Sequence, residues 1–210
     1  MESSSSKPYF LTSLLLFWAI FINVNLSTKA IAARPSSAAS VGTIDTRFIR
    51  TSCGATTYPK LCFTSLATHA SAIGSDPKLL AHTSLSVTLD TARSTSAMMV
   101  KLAQTHGLAP REVGAMRDCI EELRDSVDQL RRSLGEMNQL NNGRNFDLTM
   151  NDIQTWVSAA LTDEDTCTDG FAGKSMNGNT KVAVRERIVN VAHMTSNSLA
   201  LINSYASLHN

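Results

Sequence analysis

The residues of this 210-residue chain whose types could carry chemistry are four cysteines, five histidines and a row of carboxylates. Cys53, Cys62, Cys119 and Cys167 make an even count. A thiolate metal site would want a close pair such as C-x-x-C, which is absent, so the cysteines read as two disulfides with three possible connectivities. His69, His82, His106, His193 and His209 are scattered and never take the H-x-x-x-H spacing that sets two imidazoles on one helix face. No nucleophile elbow, phosphate-cradling loop or dinucleotide glycine pattern occurs, so neither an enzyme nor a cofactor or metal site is expected. Glu121, Asp125 and Asp128 stand at i, i+4 and i+7, which aligns three carboxylates along one side of a helix. Arg117, Arg124, Arg131 and Arg132 lie within pairing reach, so the row is either a solvated charged face or a contact surface for a basic partner. A second acidic run, Asp163-Glu164-Asp165-Thr166-Cys167-Thr168-Asp169, carries a cysteine. A Cys119–Cys167 bond would hold the run beside the row as one patch.

The elements that must position these residues are helices. No proline follows Pro110, and the hundred residues after it lack the apolar alternation of strands. Breaks at Ser75-Asp76-Pro77, Gly107 to Pro110, Asn141-Asn142-Gly143 and 173–179 delimit segments of roughly 77–106, 110–140, 151–171 and 180–208. The second holds Val113, Met116, Ile120, Leu123, Val127, Leu130, Leu134 and Met137 at alternating steps of three and four, the seam of a bundle helix. The third repeats it through Ile153, Trp156, Ala160, Cys167 and Phe171, and the fourth through Val184, Ile188, Val191, Leu199, Ile202 and Ala206. Short connections make successive helices antiparallel, so the expected fold is all-α, an up-down-up-down four-helix bundle. Its dense seam implies a filled core, against a carrier of apolar ligands. If helices two and three turn back between residues 140 and 151, Cys119 and Cys167 differ in height by about 7.5 Å of helix rise, within the error of the boundaries. Cys53 and Cys62, nine apart around Pro59, suit a tight hairpin. The chosen pairing is therefore Cys53–Cys62 and Cys119–Cys167, with residues 44–74 a disulfide-linked helical hairpin outside the 75–210 bundle.

Residues 1–33 carry Lys7, the apolar run Leu14 to Ile22 and then Ala30, Ala32 and Ala33, the three parts of a secretory signal peptide. Nine apolar residues are too few to span a bilayer, which needs roughly 20. Cleavage after Ala32 or Ala33 would leave a flexible mature N-terminus, 34–43, and a secreted chain with no membrane attachment. The whole chain has 19 basic and 18 acidic residues, and the mature part 17 of each. Residues 112–169 nevertheless hold 13 acidic and 5 basic, an acidic block that argues against nucleic acid as a partner.

The segment Ser52-Cys53-Gly54-Ala55-Thr56-Thr57-Tyr58-Pro59-Lys60-Leu61-Cys62 resembles the C-x-x-T-x-Y-P-x-L-C signature of the plant invertase and pectin methylesterase inhibitor family. Three further blocks match in order: Asp118-Cys119-Ile120-Glu121 with Asp125, Val127, Asp128 and Leu130; Trp156 to Thr162 with Thr166 to Phe171; and Thr195 to Ile202. The resemblance implies a bundle preceded by a hairpin, consecutive cysteines bonded, and a non-catalytic inhibitor acting in the apoplast or cell wall. It implies a 1:1 complex with a plant pectin methylesterase that covers the pectin cleft, and, as the alternative partner, invertase. Contact positions carried over by motif are Glu121, Asp125, Asp128, Thr166 and Asp169. The chain lacks the Pro-Lys-Phe motif of many invertase inhibitors, which favours the esterase. Leu123 stands where the family often has Tyr, with the expected loss of a hydroxyl contact, and Ser126 where Ala is usual. A similar bundle forms the pro-region of many pectin methylesterases, whereas this chain ends at Asn210, so a stand-alone module is expected.

Overall fold

The computed structural model describes residues 38–104, 107–140, 145–172 and 178–209. The expected signal peptide, residues 1–33, lies outside them, as does the expected turn at Asn141 to Gly143. Every regular element among the described residues is helical: α1 (Ala38–Cys53), α2 (Pro59–Leu66), a 3-10 turn (Ala67–His69), α3 (Ala70–Ile73), α4 (Pro77–Ala103), α5 (Pro110–Gln139), α6 (Phe146–Gly170) and α7 (Asn179–Ala206). α1 begins inside the stretch expected to be a flexible N-terminus, where Ala38 and Ala39 favour helix.

The helix starts follow local chemistry. Asp76 caps α4, its Oδ1 accepting from the amides of Lys78 (2.7 Å) and Leu79 (3.2 Å), and Pro77 supplies the fixed φ of a first helical residue. Glu112 accepts from the amide of Ala109 at 2.8 Å and closes the start of α5, which also opens on a proline. Asn145 accepts from the amides of Asp147 and Leu148, so α6 begins at Phe146, five residues before the sequence pattern suggested. The early start lets the Phe146 ring stack on His209 (4.3 Å) and meet Tyr205 edge-on (6.0 Å).

α4 to α7 form a ring in which each helix packs on its sequence neighbours and α4 closes against α7, the arrangement of an up-down-up-down bundle. The tightest side is α5 against α6. There the buried surface of α5 departs from the expected seam: Val113 is 50 % exposed, while Cys119, Ser126 and Ser133 are buried. These three small residues recur every seventh position, the same phase of the helix, and let the two backbones approach, with Cα atoms 4.4 Å apart at Cys119–Cys167. Ser133 donates back to the carbonyl of Gln129 at 2.9 Å, and its hydroxyl also lies 3.5 Å from the Ile153 carbonyl of α6. Two apolar clusters fill the bundle. One gathers Met99, Met116, Leu123, Phe171, Val184 and Ile188; the other runs from Val127, Ala160 and Val191 to Tyr205.

Both disulfides are the expected ones, Cys53–Cys62 and Cys119–Cys167. α1 to α3 sit outside the four-helix ring against α4 and α7, and their Ile49, Leu66 and Ile73 join the larger cluster, so the hairpin and the bundle share one core. The signature between the two cysteines has a structural reading. The Thr56 hydroxyl donates to the Cys53 carbonyl at 2.8 Å and stops α1, and Pro59 starts α2. Asn197 of α7, 2 % exposed, accepts from the amide of Tyr58 and donates to its carbonyl, both at 3.0 Å. One amide side chain thus gives the Tyr58 amide the acceptor the hairpin turn does not supply, while the Tyr58 carbonyl also takes the first helical bond of α2 from the Cys62 amide at 3.0 Å.

Candidate interaction face on α5 and α6

Glu121, Asp125 and Asp128 are exposed on α5, and Thr166 and Asp169 are exposed on α6. The Cys119–Cys167 bond sets the antiparallel register. Counted from it, Glu121 lies level with Asp165, Thr166 with Ile120, and Asp169 with Arg117. Asp128 lies about 12 Å further along the axis than the level of Thr166, from eight residues of helical rise. The five positions therefore share one side-by-side helix pair but spread over about 16 Å of it and do not meet in a single cluster.

Of the neutralising pairs the spacing allowed, Arg131 hydrogen-bonds Asp128, and Arg117 lies 3.7 Å from Asp118. Among the described residues Glu121 and Asp125 have no cation within bridging distance. These two carboxylates have no internal partner to compete with an external one. The Thr166 hydroxyl donates to the carbonyl of Thr162 at 2.8 Å, which leaves its lone pairs as acceptors toward solvent.

The acidic run of α6 is not wholly part of this surface. Glu164 is fully buried, a correction to the single patch expected from sequence. Its position explains this: Ile153, Val157, Ala160, Glu164, Cys167 and Phe171 follow steps of four and three, so Glu164 falls on the inward stripe. The same pattern was readable in the sequence. Ser126 of α5 and Thr195 of α7 both donate to Glu164 Oε1, at 2.7 and 3.0 Å, while Oε2 has no partner. Burial is the main cause that pushes the Glu164 carboxyl up to about 8, the two hydroxyl donors pulling it partly back and the charges of Asp165 and Asp163 adding to the rise. Glu164 is therefore a neutral acid at neutral pH, at the junction of the two apolar clusters and tying three helices together. Ser126 provides one of those ties. Leu123 is likewise fully buried, so a difference there acts in the core and not as a missing hydroxyl on the contact surface.

Asp163 lies at the rim of this node, half-buried. Burial, then the charges of Glu122 and Asp125, push its carboxyl up to about 6. On the far side of α6, His193 stacks on Tyr58 with ring centres 3.5 Å apart, and burial holds it below the ordinary imidazole value against the opposing charge of Asp165. Among the described residues no group of three His, Cys, Asp or Glu side chains is placed to hold a metal ion, and no helix is long and apolar enough to cross a membrane. What the α5–α6 face offers chemically is exposed negative charge and a hydroxyl acceptor on a disulfide-tied support, suited to binding.

The model of the plant invertase/pectin methylesterase inhibitor family matches residues 47–201. A 21 kDa protein of Daucus carota is 45% identical over 165 residues, 78% of this chain and 86% of its own length. Pectinesterase inhibitor 11 of Arabidopsis thaliana is 42% identical over 196 residues, 91% of this chain and 96% of its own length. Among solved structures, a mutant form of a pectin methylesterase inhibitor from Arabidopsis superimposes with a TM-score of 0.61 at 22% identity, over 74% of this chain and 95% of that one, and so shares the fold. The signature hairpin clamped by Asn197, the four-helix ring with its two disulfides and these matches together place the chain in the plant invertase/pectin methylesterase inhibitor family.

Proposed function

We propose that the mature protein is a secreted, non-catalytic inhibitor of a plant pectin methylesterase in the apoplast or cell wall. It forms a 1:1 complex through Glu121, Asp125, Asp128, Thr166 and Asp169 that covers the pectin-binding cleft, and so regulates pectin de-methylesterification. The observation that carries the contact face is the pair of exposed, unpaired carboxylates Glu121 and Asp125 on a helix tied to α6 by a disulfide. Carboxylates with no internal ion pair to break are available to a partner, and they suit a basic rim around a cleft that takes an acidic polymer. The names of the Arabidopsis relatives, pectinesterase inhibitors, support the choice of enzyme.

Titrating the oxidised mature chain against a plant pectin methylesterase, and in parallel against a cell-wall invertase, tests the reading. Methylesterase activity should fall to zero at one equivalent. Loss of invertase activity alone would make invertase the partner, and no effect on either would overturn the inhibitory reading.

A further inference from the structure

Beside the acidic row, between the end of α4 and the first half of α5, lies an open groove of about 570 Å³. Val100 of α4 and Val113 and Ile120 of α5 give it an apolar floor, and Arg117, Glu121 and Arg124 line its α5 side. The α5 residues fall at steps of four, three, one and three, so a single face of the helix builds the wall. Two features single it out. Val113 is half exposed on a helix whose outward positions, after the opening Pro110, are otherwise charged or polar, which leaves apolar surface uncovered. Arg124 makes no ion pair among the described residues, and Arg117 only reaches an exposed neighbour at 3.7 Å. The two guanidiniums, seven residues apart, stand about 10 Å apart along the helix with the groove floor beside them.

We propose that this groove seats an apolar side chain of the esterase flanked by carboxylates, with Arg117 and Arg124 as the groove's cationic wall. The proposal rests on the inhibitory reading above and extends its interface. Glu121 belongs both to the groove wall and to the acidic row, so one protein partner laid along α5 meets both surfaces without a gap. The chemistry selects the occupant. The floor rewards burial of an aliphatic or aromatic group, and planar guanidiniums pair carboxylates in two-point fashion. A groove of this size takes one large side chain as an anchor, the central element of a tight interface, with the acidic row as its polar rim. The alternation along α5 of cation, anion, cation and anion through Arg117, Glu121, Arg124 and Asp125 also sets a register, because a partner shifted by one turn would face like charges.

The test uses the oxidised mature chain and a plant pectin methylesterase that the wild-type chain inhibits. Ala103→Phe fills the groove from an exposed position at the end of α4, and Arg124→Glu reverses its wall; both sites are exposed, so the thermal midpoint should not move. Each variant should raise the inhibition constant at least tenfold, while Arg187→Glu, an equal charge change on the exposed side of α7, should leave it unchanged. Inhibition by both groove variants at wild-type strength, with Asp125→Lys weakened tenfold or more, would overturn the groove and leave the inhibitory reading standing. A loss with Arg187→Glu as large as with Arg124→Glu would reduce the effect to net charge and would also overturn it. Failure of the wild-type chain to inhibit any methylesterase would remove the reading on which the groove depends.

Discussion

Replacing Glu164 with Gln should remove most of the pH dependence of this protein's stability between pH 5 and 8. In the unfolded chain the carboxyl titrates near its ordinary value of 4.5, whereas in the folded bundle burial pushes it up to about 8. Between these values folding takes up a proton, so stability falls as pH rises. The contribution is fully present below 4.5 and is lost once the pH has passed 8. Three to four pH units at about 1.4 kcal/mol each put the loss on the order of 4 kcal/mol, a large part of the 5–15 kcal/mol typical of a domain. The structural cause is specific. Oε1 already accepts from Ser126 and Thr195, and an ionised Oε2 would be a buried, unpaired charge. A glutamine keeps the acceptor for both hydroxyls and cannot ionise. Urea denaturation at pH 5, 6.5 and 8.5 should show wild-type stability declining by several kcal/mol relative to Glu164→Gln across that range, with equal m-values. Two parallel curves would refute the argument, because they would mean that the folded protein pays no penalty for the Glu164 charge.

Three further outcomes follow from the same geometry. Asp163 is pushed up to about 6 from 3.8, so it too contributes stability that is lost as pH rises, in the window 4 to 6; Asp163→Asn should flatten that window and leave the 6-to-8 slope to Glu164, as separate denaturation series would show. Asn197→Ala leaves the Tyr58 amide without its acceptor, while the Tyr58 carbonyl keeps its bond from the Cys62 amide, and should cost about 1–2 kcal/mol, read as a lower thermal midpoint. Asp125→Lys, on the exposed side of α5, should leave the midpoint unchanged and weaken methylesterase inhibition by tenfold or more, about 1.4 kcal/mol upwards; an unchanged inhibition constant would move the interface elsewhere.

The helical class and the four long segments were legible because they depend on short-range signals, prolines and caps at helix starts and a repeat of three and four; the disulfides followed from the hairpin around Pro59 and from antiparallel helices that bring Cys119 and Cys167 to within about 7.5 Å in height. The approximate ends of the segments were less so. α6 starts early because Asn145 caps it and Phe146 finds Tyr205 and His209, rings carried by the far end of the chain. The α5 seam was half right. Periodicity placed Val113 on the apolar side, but the close approach of α6 selects the small residues Cys119, Ser126 and Ser133, and Val113 is left on the groove.

By itself the sequence determined which residues could form a charged face, since Glu121, Asp125 and Asp128 share one side of any helix built from this segment. It determined the family through motifs that survive without coordinates. Only the tertiary structure decided which charges are free and which are spent. Asp128 has its arginine while Glu121 and Asp125 do not, and Glu164, two residues before Thr166 in the same acidic run, is turned inward as a neutral acid. The physical reason is that a carboxylate's role depends on its solvation and on partners brought from other helices, Ser126 from α5 and Thr195 from α7, at separations of 38 and 31 residues. Local pattern carries the direction in which a side chain points, and packing alone sets the dielectric it meets there.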